Sequence, residues 1–400
     1  MKVLIVGAGI AGPTLAYWLA RDGHDVTLLE RAPEPRRGGY VVDFWGTGYT
    51  VAERMGLVPR LLAEGYHFRT MREVSDHGRK ITQLDAERLI AGADGRYVTI
   101  ARSDLAAAIL DAVRDVVEAG GAGSIEMLFG DTVERLDDDG DRVRVELTSG
   151  GSRAFDLVIG ADGLHSRVRA LAFGPEAGYE RDLGIAVAAF DIRGYRPRDE
   201  LIAITRTQVG AQTLRIALRD DVTMFCFMFR HEGAVPIDDV TAQQELLRRR
   251  LGHLGWEVPR ILELMPTART FYLDKASQIR MPSWSRGRVA LIGDAAASPS
   301  LLAGQGSALA MVEAYVLARA LRDAHGDHAA AFAAYEQRLA PVVRTKQDAA
   351  IGLGTAFAPR TRAQLIVRDA LVGLMGIPFV ANLVTGRSLR DPIELPPPSD

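Results

Sequence analysis

The first thirty residues alternate between short apolar runs and one amphipathic stretch. Residues 2–6 are apolar and β-branched, which predicts a buried parallel strand. Residues 14–21 carry apolar side chains at helical spacing, and residues 26–29 form a second apolar run that ends at Glu30. This order of elements predicts a complete β-turn-α-β unit at the start of the chain.

The rest of the chain repeats the buried-strand pattern twice and interrupts it with a region of different character. Residues 156–160 and 289–292 are short apolar runs, and each leads into a turn that contains Asp and Gly. Residues 184–229 alternate like strands and show few helix signals, with candidate strands at 185–192, 201–207, 213–218 and 223–229. We therefore predict an α/β fold in which a Rossmann-type domain carries an inserted antiparallel sheet.

Helical periodicity marks several further segments and the end of the chain. The predicted helices cover residues 50–55, 103–118, 242–251, 306–321 and 329–343, with Ser103 as the expected cap of the second. Residues 365–384 are strongly apolar, but charged residues and a proline interrupt them before they reach a membrane span of about 20 apolar residues. We expect a C-terminal helix packed on the rest of the protein, with a peripheral membrane contact as the alternative.

Composition narrows the classes of function. The formal net charge of −3 argues against a nucleic-acid-binding protein, which is usually basic. The single cysteine, Cys226, excludes a disulfide framework and a cysteine-rich zinc site, and we expect it to be a small buried hydrophobe. No metal-ligand cluster or Ser-His-Asp order stands out among the eight histidines, so neither a metal site nor a catalytic side chain is predicted. We expect a cytoplasmic monomer or dimer without a transmembrane segment.

The turn after the first predicted strand has the sequence Gly7-x-Gly9-x-x-Gly12. Gly7 permits a tight turn, Gly9 lets the backbone approach a pyrophosphate, and Gly12 lets the helix pack closely on the strand. The helix N-terminus adds unpaired N–H groups and a partial positive charge. Glu30 stands where a carboxylate can accept hydrogen bonds from ribose hydroxyls. The motif predicts a dinucleotide cofactor and leaves the choice between NAD and FAD open.

Two later turns place acids at strand ends. Asp162 follows the second buried run, where such a turn can point it into the cleft above the sheet, although an Asp-Gly turn can also serve geometry alone. Asp294 follows the third run and can hydrogen-bond a polyol chain. Residues 304–306, which open a helix, can aim N–H groups at developing negative charge, although a capped helix after a turn would explain them equally.

In this order and at these distances, the three motifs resemble those of the flavoprotein aromatic hydroxylases, the para-hydroxybenzoate hydroxylase family. The match extends from the N-terminus to about residue 345, and Arg102 is similar to the family arginine that opens a helix beside the flavin. The resemblance implies FAD as the cofactor and NADPH or NADH as a transient co-substrate. It also implies an FAD-binding domain at residues 1–70, 97–175 and 284–340, a substrate-binding sheet domain at 71–96 and 176–283, and a C-terminal helical segment at 341–400.

The resemblance further implies roles for individual residues. The glycine turn would hold the FAD pyrophosphate, Glu30 the adenosine ribose, and Asp294 the ribityl chain. Arg102 would contact the phosphates or the ribityl chain, Asp162 would link FAD with NAD(P)H use, and the loop from Pro299 to Gly306 would lie beside the isoalloxazine. The residues implied to contact the cofactor are Gly7, Gly9, Ile10, Ala11, Gly12, Glu30, Arg31, Arg37, Arg102, Asp162, Asp294, Pro299, Gly304, Gln305 and Gly306.

The chain also departs from the family pattern. Ala297 stands where many relatives carry His, which removes one polar group near the flavin. The extra thioredoxin-like domain of some phenol hydroxylases is not expected after the third motif. The chain is therefore more similar to the compact members of the family, which act on polyketides, tetracyclines and related ring systems, including antibiotics.

The family's reaction sets the expected mechanism. NAD(P)H reduces FAD, O₂ adds to give a C4a-hydroperoxide, and its distal oxygen attacks an electron-rich aromatic ring. Because water must be excluded, an apolar sheet is expected to cover the flavin, with Met224 and Met228 on one face of a strand and Phe225 and Phe227 on the other. Two alternatives are an FAD-dependent reductase or oxidase without oxygen insertion, and a non-catalytic nucleotide-fold binding protein similar to the Rab escort proteins.

Overall fold

A mixed α/β architecture forms over residues 1–35, 40–85, 95–120, 122–375 and 393–398, which the computed structural model describes. The strands of these residues are β1 (Lys2–Val6), β2 (Asp25–Glu30), β3 (Val41–Trp45), β4 (Thr70–Val74), β5 (Lys80–Asp85), β6 (Tyr97–Ala101), β7 (Ser124–Phe129), β8 (Val133–Asp138), β9 (Val143–Leu147), β10 (Ser152–Phe155), β11 (Leu157–Gly160), β12 (Glu180–Arg193), β13 (Ile202–Gln208), β14 (Ala211–Ala217), β15 (Val222–Arg230), β16 (Phe271–Ile279), β17 (Ser285–Arg286) and β18 (Val289–Leu291).

The helices surround two large sheets. They are α1 (Ala11–Arg21), α2 (Thr47–Arg54), α3 (Val58–Glu64), α4 (Arg102–Glu118), α5 (Arg167–Ala172), α6 (Val240–Leu251), α7 (Val258–Leu264), α8 (Asp294–Ala297), α9 (Gly306–Asp323), α10 (His328–Phe357) and α11 (Arg362–Met375). α1 packs against α9 and against β1, β2 and β7, and α10 lies along α9. The predicted α/β fold with an inserted antiparallel sheet is confirmed.

The first sheet is mainly parallel and has the order β17-β18-β11-β1-β2-β7. β1 pairs in parallel with both β11 and β2, and β11 pairs in parallel with β18. The residues of β1, β11 and β18 are almost entirely buried, as expected for strands covered by helices on both faces. The three apolar runs singled out in the sequence are therefore neighbours in space.

The second sheet has the order β16-β12-β15-β14-β13-β4-β5 and is largely antiparallel. The side chains of β15 alternate between its two faces. Phe225, Phe227 and Phe229 join an apolar cluster with α6 and α7 on one face. Met224 and Met228 belong to smaller clusters on the opposite face. The alternation expected for this strand is thus confirmed.

Several sequence expectations fail in detail. Ser103 is not the cap of α4, because the helix already begins at Arg102 and the Ser103 hydroxyl donates to Asp104 at 3.3 Å. The helix expected at 329–343 continues to Phe357, passing through Pro341. β7 and β16 lie in segments for which no strand was predicted. The expected domain division stays a prediction, and its last boundary falls inside α10.

In the part of the chain that the structure describes, none of the helices is long and apolar enough to cross a membrane. The C-terminal α11 contacts β5, and Arg368 on α11 forms an ion pair with the buried Glu73 of β4 at 3.1 Å. The opposite side of α11 leaves Ile366 70% exposed.

Candidate active site

The predicted motifs meet at one edge of the parallel sheet. In the register of the sheet, Val6 pairs with both Leu29 and Gly160, and Gly160 pairs with Leu291. Because these strands are parallel, the turns that follow them lie side by side at their carboxyl ends. Ligands of open α/β sheets bind at such an edge.

The three glycines of the first turn have different surroundings. Gly7 has φ +109°, and a Cβ there would lie 2.4 Å from the carbonyl oxygen of Ala161. A Cβ on Gly12 would lie 1.9 Å from the carbonyl oxygen of Gly7, so α1 can approach the strand only without a side chain. A Cβ on Gly9 would meet only the Arg102 guanidinium, at 4.0 Å. Gly9 therefore borders open space at the edge of the sheet.

α1 begins beside this open space. Ile10 is its N-cap residue and Ala11 its first residue, and both side chains are buried in the core. No side chain caps the helix and no acid lies in its first turn. Ile10 and Ala11 can thus contribute to a cofactor site only through their backbones, whose N–H groups at a helix start favour an anion.

Glu30, at the end of β2, is tied to the glycine turn. Its carboxylate accepts hydrogen bonds from the backbone N–H of Ala8 at 2.8 Å and of Ala32 at 2.9 Å. A carboxylate has further lone pairs with which to accept hydroxyl donors. The next residue, Arg31, is exposed, and Arg37 lies outside the described residues.

Arg102 points a positive charge toward Gly9. Its backbone N–H donates to the carbonyl oxygen of Tyr40 at 3.1 Å, which fixes the start of α4. Its guanidinium makes no hydrogen bond to any described residue, although Tyr40 and Asp294 lie close enough to raise the pKa of Arg102. A guanidinium presented to open space in this way suits a phosphate or a polyol hydroxyl.

Asp162 does not point its carboxylate into the cleft. One oxygen accepts from the Ser166 hydroxyl at 2.5 Å, and the other accepts from the backbone N–H groups of Arg167 and Val168 at 2.7 and 3.1 Å. The side chain therefore satisfies the N-terminus of α5, which is the purely geometric alternative for this turn. Burial raises the pKa of Asp162 while the Ser166 hydroxyl opposes that shift. Any contact of Asp162 with a cofactor would come from its backbone, which lies against Gly7.

Asp294 lies between the start of α1 and the start of α9. Gly293 before it has φ +63°, and a Cβ there would lie 3.2 Å from the Ala11 side chain. The Asp294 carboxylate is 3.9 Å from the position a Cβ would take on Gly306. Burial raises the pKa of Asp294, and the charge of Arg102 opposes that rise. Asp294, Arg102 and Gly9 thus face a common space.

The loop after α8 completes this side of the site. Pro299 is buried, and its carbonyl oxygen accepts from the Gln278 amide at 3.4 Å. Gly304 adopts a left-handed conformation with φ +66°, and a Cβ there would meet nothing within 4 Å. The side-chain oxygen of Gln305 accepts a hydrogen bond from Lys346, and Gly306 is the first residue of α9. Ala297, where many aromatic hydroxylases carry His, is buried in the core.

Two buried residues to which the sequence assigned no role support the turns. Arg169, fully buried on α5, donates to the carbonyl oxygens of Leu164 at 2.6 Å and Ala295 at 3.0 Å, which joins the second turn to the third. Glu313 on α9 accepts from the backbone N–H of Gly293 and from the Tyr335 hydroxyl. Burial raises the pKa of Glu313 to about 8.

The second sheet covers the site with its methionine face. Met224 lies in a cluster with Ile216 and Ala203, and Tyr40 and Phe68 pack against this cluster. Tyr40 also contacts Tyr272 of β16, with ring centroids 5.5 Å apart. Cys226 lies on the same face and is only partly buried, and the low polarity around it raises the pKa of its thiol to about 12. The cover is apolar, with two phenolic hydroxyls near Arg102.

The residues present fit a dinucleotide with a pyrophosphate. Gly9 keeps a surface clear that a Cβ would begin to fill, and the N–H groups at the start of α1 and the Arg102 guanidinium are aimed at it. Glu30 and Asp294 stand on opposite sides of this surface, at the ends of β2 and β18. No group of three or more potential metal ligands occurs in the described ranges.

Comparisons with known proteins agree with this geometry. Residues 1–350 match the sequence profile of the family described as FAD binding domain. A flavin-dependent monooxygenase from an unidentified prokaryote is 34% identical over 362 residues, which cover 89% of this chain and 90% of that protein. The crystal structure of tetracycline destructase Tet(55) has a TM-score of 0.83 at 31% identity, covering 99% of this chain and 98% of that one. HpxO of Klebsiella pneumoniae, complexed with FAD and uric acid, has a TM-score of 0.81 at 24% identity over 98% of each chain.

Proposed function

Because this chain belongs to the FAD-binding family of flavin-dependent monooxygenases, we propose that it uses NAD(P)H and O₂ to hydroxylate an aromatic or polyketide-like small molecule. The observation that carries the proposal is the open surface at Gly9, bordered by Arg102 and Asp294 and covered by an apolar sheet face. Bound FAD would supply the redox chemistry and the activation of O₂. The chain's own residues would bind it, orient the substrate and exclude water.

Each part of the cofactor has a candidate partner. The backbone from Gly7 to Gly12 and the start of α1 would bind the pyrophosphate, and Glu30 would accept from the adenosine ribose. Arg102 and Asp294 would hold the phosphates and the ribityl chain. Residues 299–306 would lie along the isoalloxazine, where the start of α9 favours negative charge on the reduced ring.

The use of NAD(P)H is the finer part of the proposal. It is supported by membership of the family and not by the Asp162 carboxylate, which α5 occupies. A second glycine fingerprint after a strand is absent from the sequence, so the nicotinamide would bind transiently in the same cleft.

The substrate class is proposed from the cover of the site. The partly exposed Met228, Cys226 and Phe68 offer an apolar surface that suits a flat ring system. Tyr40 and Tyr272 offer hydroxyls at one end. The two structural relatives are named for a tetracycline and crystallised with uric acid, respectively, and both of those molecules are ring systems rich in polar groups.

The test is a turnover screen on the purified protein. We expect it to carry FAD and to oxidise NADPH or NADH faster when a suitable phenol or aromatic polyketide is present, with O₂ uptake and a product that gains one oxygen by mass spectrometry. Arg102→Met is the matched variant, and it should lose FAD affinity by at least tenfold. Product without added oxygen would favour a reductase or oxidase, and a protein that refuses FAD would contradict the proposal.

A further inference from the structure

β16 is the edge strand of the second sheet, and its pairing is irregular. Among the strands that the structure describes it pairs with β12 alone, and the register shifts between Asp182 and Ala186 of that neighbour. Asp274 and Lys275 of β16 lie directly beside the shift, paired with Val187 and Ala186. An edge strand with an interrupted ladder is less firmly held by backbone hydrogen bonds than a central one. Side chains must therefore help to fix this part of β16.

A histidine from the other sheet reaches Asp274. His165 lies in the turn between β11 and α5, and its Nε2 is 3.1 Å from an oxygen of the Asp274 carboxylate. Its Nδ1 is 2.9 Å from an oxygen of Glu176, whose other oxygen accepts from Arg169 at 2.6 Å. Asp274 is 7% exposed, whereas the imidazole is one third exposed. His165 thus joins the second turn of the candidate site to the edge of the covering sheet.

Asp274 shares a face of β16 with the site. Residues two apart on a strand point to the same side, so Asp274 and Tyr272 lie on one face. The Tyr272 ring contacts Tyr40, whose carbonyl oxygen accepts from the backbone of Arg102. A continuous series of contacts therefore runs from His165 through β16 to the guanidinium beside Gly9.

We propose that His165 is a positioning residue: held between Glu176 and Asp274, it keeps the Tyr272 face of β16 against Arg102 and closes the oxygen-transfer site to water. The role in water exclusion rests on the function proposed above. Without this contact, β16 would be free to move away from Tyr40 at its irregular point. Water at a monooxygenase site diverts reducing equivalents to hydrogen peroxide.

The geometry requires a charged imidazole. Both ring nitrogens face carboxylate oxygens, and both can donate only when the ring is protonated. The hydrogen bond to Asp274 is the main cause that raises the pKa of His165 to about 9, with Glu176 adding to it and burial opposing it. Glu180 is a further carboxylate near His165. Arg169 forms an ion pair with Glu176, and Lys275 forms one with Glu180. The two contacts of His165 with Glu176 and Asp274 are called the clamp below. The clamp should weaken as pH rises through about 9, because the imidazole then loses its proton.

The first test needs no substrate. Cys226 is the only cysteine and lies on the site face of the covering sheet, so its alkylation rate in the FAD-loaded enzyme measures how often the cover opens. We expect His165→Gln to raise the rate with iodoacetamide at pH 8 at least threefold. Lys275→Gln is the control, because that side chain points to the opposite face and binds Glu180 within the same sheet at 2.8 Å. Its rate should stay within a factor of 1.5 of the parent.

The second test follows the electrons. For the wild-type enzyme turning over a substrate that it hydroxylates, the amount of hydrogen peroxide formed per NAD(P)H oxidised should rise as pH passes through about 9. In His165→Gln this peroxide fraction should be at least twofold higher at pH 7.5 and should no longer depend on pH in this range. If His165 only filled space, His165→Gln and the parent would show the same dependence of the peroxide fraction on pH.

The outcomes separate the two proposals. If no substrate gains oxygen, the proposed function fails, while the alkylation rates still measure the clamp. If product forms but His165→Gln and Lys275→Gln alkylate at the parental rate, the clamp is wrong and the proposed function stands. Retention of the flavin absorbance spectrum in each variant verifies that the protein is folded. Asp274→Asn, which removes the same contact from the other side, should reproduce the alkylation result, and parental behaviour in it would also overturn the clamp.

Discussion

Gly9 and Gly12 are three residues apart, yet a methyl group at each would meet opposite conditions. At Gly12 it would overlap the Gly7 carbonyl oxygen at 1.9 Å, whereas at Gly9 it would enter open space beside Arg102. On the proposed function, the first glycine of this pair would serve the ligand, whereas the second serves the fold.

We expect Gly9→Ala to fold like the parent and to bind FAD at least tenfold more weakly, because its methyl group occupies cofactor space. Gly12→Ala should instead lower the melting temperature of the FAD-free protein by several degrees, since α1 must move off the strand. FAD titration by fluorescence and thermal melts of the apoproteins measure the two effects. Equal melting temperatures for both variants would contradict this assignment.

Glu313 offers a pH-dependent prediction at the same scale. Its pKa is about 8 in the folded protein, well above the ordinary value of 4.5, because it is buried. The folded state therefore keeps a proton that the unfolded chain releases, and this stabilisation is complete below about pH 4.5 and lost as pH rises through about 8. Glu313→Gln should remove that dependence, which amounts to at most about 1.4 kcal/mol per pH unit.

Melting curves from pH 5 to 8.5 would measure the difference in slope between the parent and Glu313→Gln. The exposed Glu245 on α6 provides a control, and Glu245→Gln should follow the parent at every pH. Parallel curves for the parent and Glu313→Gln would show that the pKa of this carboxyl does not differ between the folded and unfolded states.

The hydrophobic pattern of the sequence marks residues at strand ends more clearly than buried polar residues inside helices. The glycine turn, Glu30 and Asp294 follow buried strands, and strand ends are visible in the hydrophobic pattern. Glu313 lies in the middle of a helix, where an acid ordinarily faces solvent, so nothing in the pattern marks it as buried. Asp162 was expected to point into the cleft, but its carboxylate accepts hydrogen bonds from the start of α5, because an Asp at a strand-to-helix turn can also cap the helix.

At the scale of elements, the side chains of β15 alternate between a face that packs on helices and a face that borders the candidate site. Phe227 is fully buried against the helices α6 and α7, and Met228 lies on the site face. We expect Phe227→Ala to lower the free energy of unfolding by about 3–5 kcal/mol. Met228→Ala should cost less stability and should alter substrate KM or the peroxide fraction. Denaturant unfolding and turnover assays of both variants measure the contrast, which fails if the two lose equal stability.

The missed strands have physical explanations. β16 carries Asp274 and Lys275 at its centre, and such charges suggest a surface loop unless their partners are known. Those partners, His165 and Glu180, come from distant parts of the sequence. β7 begins at Ser124, directly after a glycine-rich stretch that favours a loop, and it becomes a strand because β2 offers a parallel edge. Tertiary pairing overrides local preference in both cases.

At the scale of the whole molecule, α10 connects both large sheets with the loop after α8. Its thirty residues span about 45 Å at the ordinary helical rise. The Gln347 amide on this helix donates to the carbonyl oxygens of Ile279 at 2.7 Å and Ser298 at 3.2 Å. The end of β16 and the loop after α8 are therefore fixed to one helix. The predicted helix ended at Val343, and the structure extends it to Phe357 because tertiary contacts such as those of Gln347 hold the later turns.

The buried Arg169 has a consequence for biosynthesis. Its guanidinium donates to the carbonyl oxygens of Leu164 and Ala295, and the sheet order places β11 between β18 and β1. The strands that frame the site therefore come from distant parts of the chain. A nascent polypeptide that has emerged only as far as α5 would bury this guanidinium without one of its acceptors and would lack Asp294. A cofactor site that includes Asp294, as proposed above, can then be completed only after residue 294 has left the ribosome, so the polypeptide would bind flavin late in its synthesis.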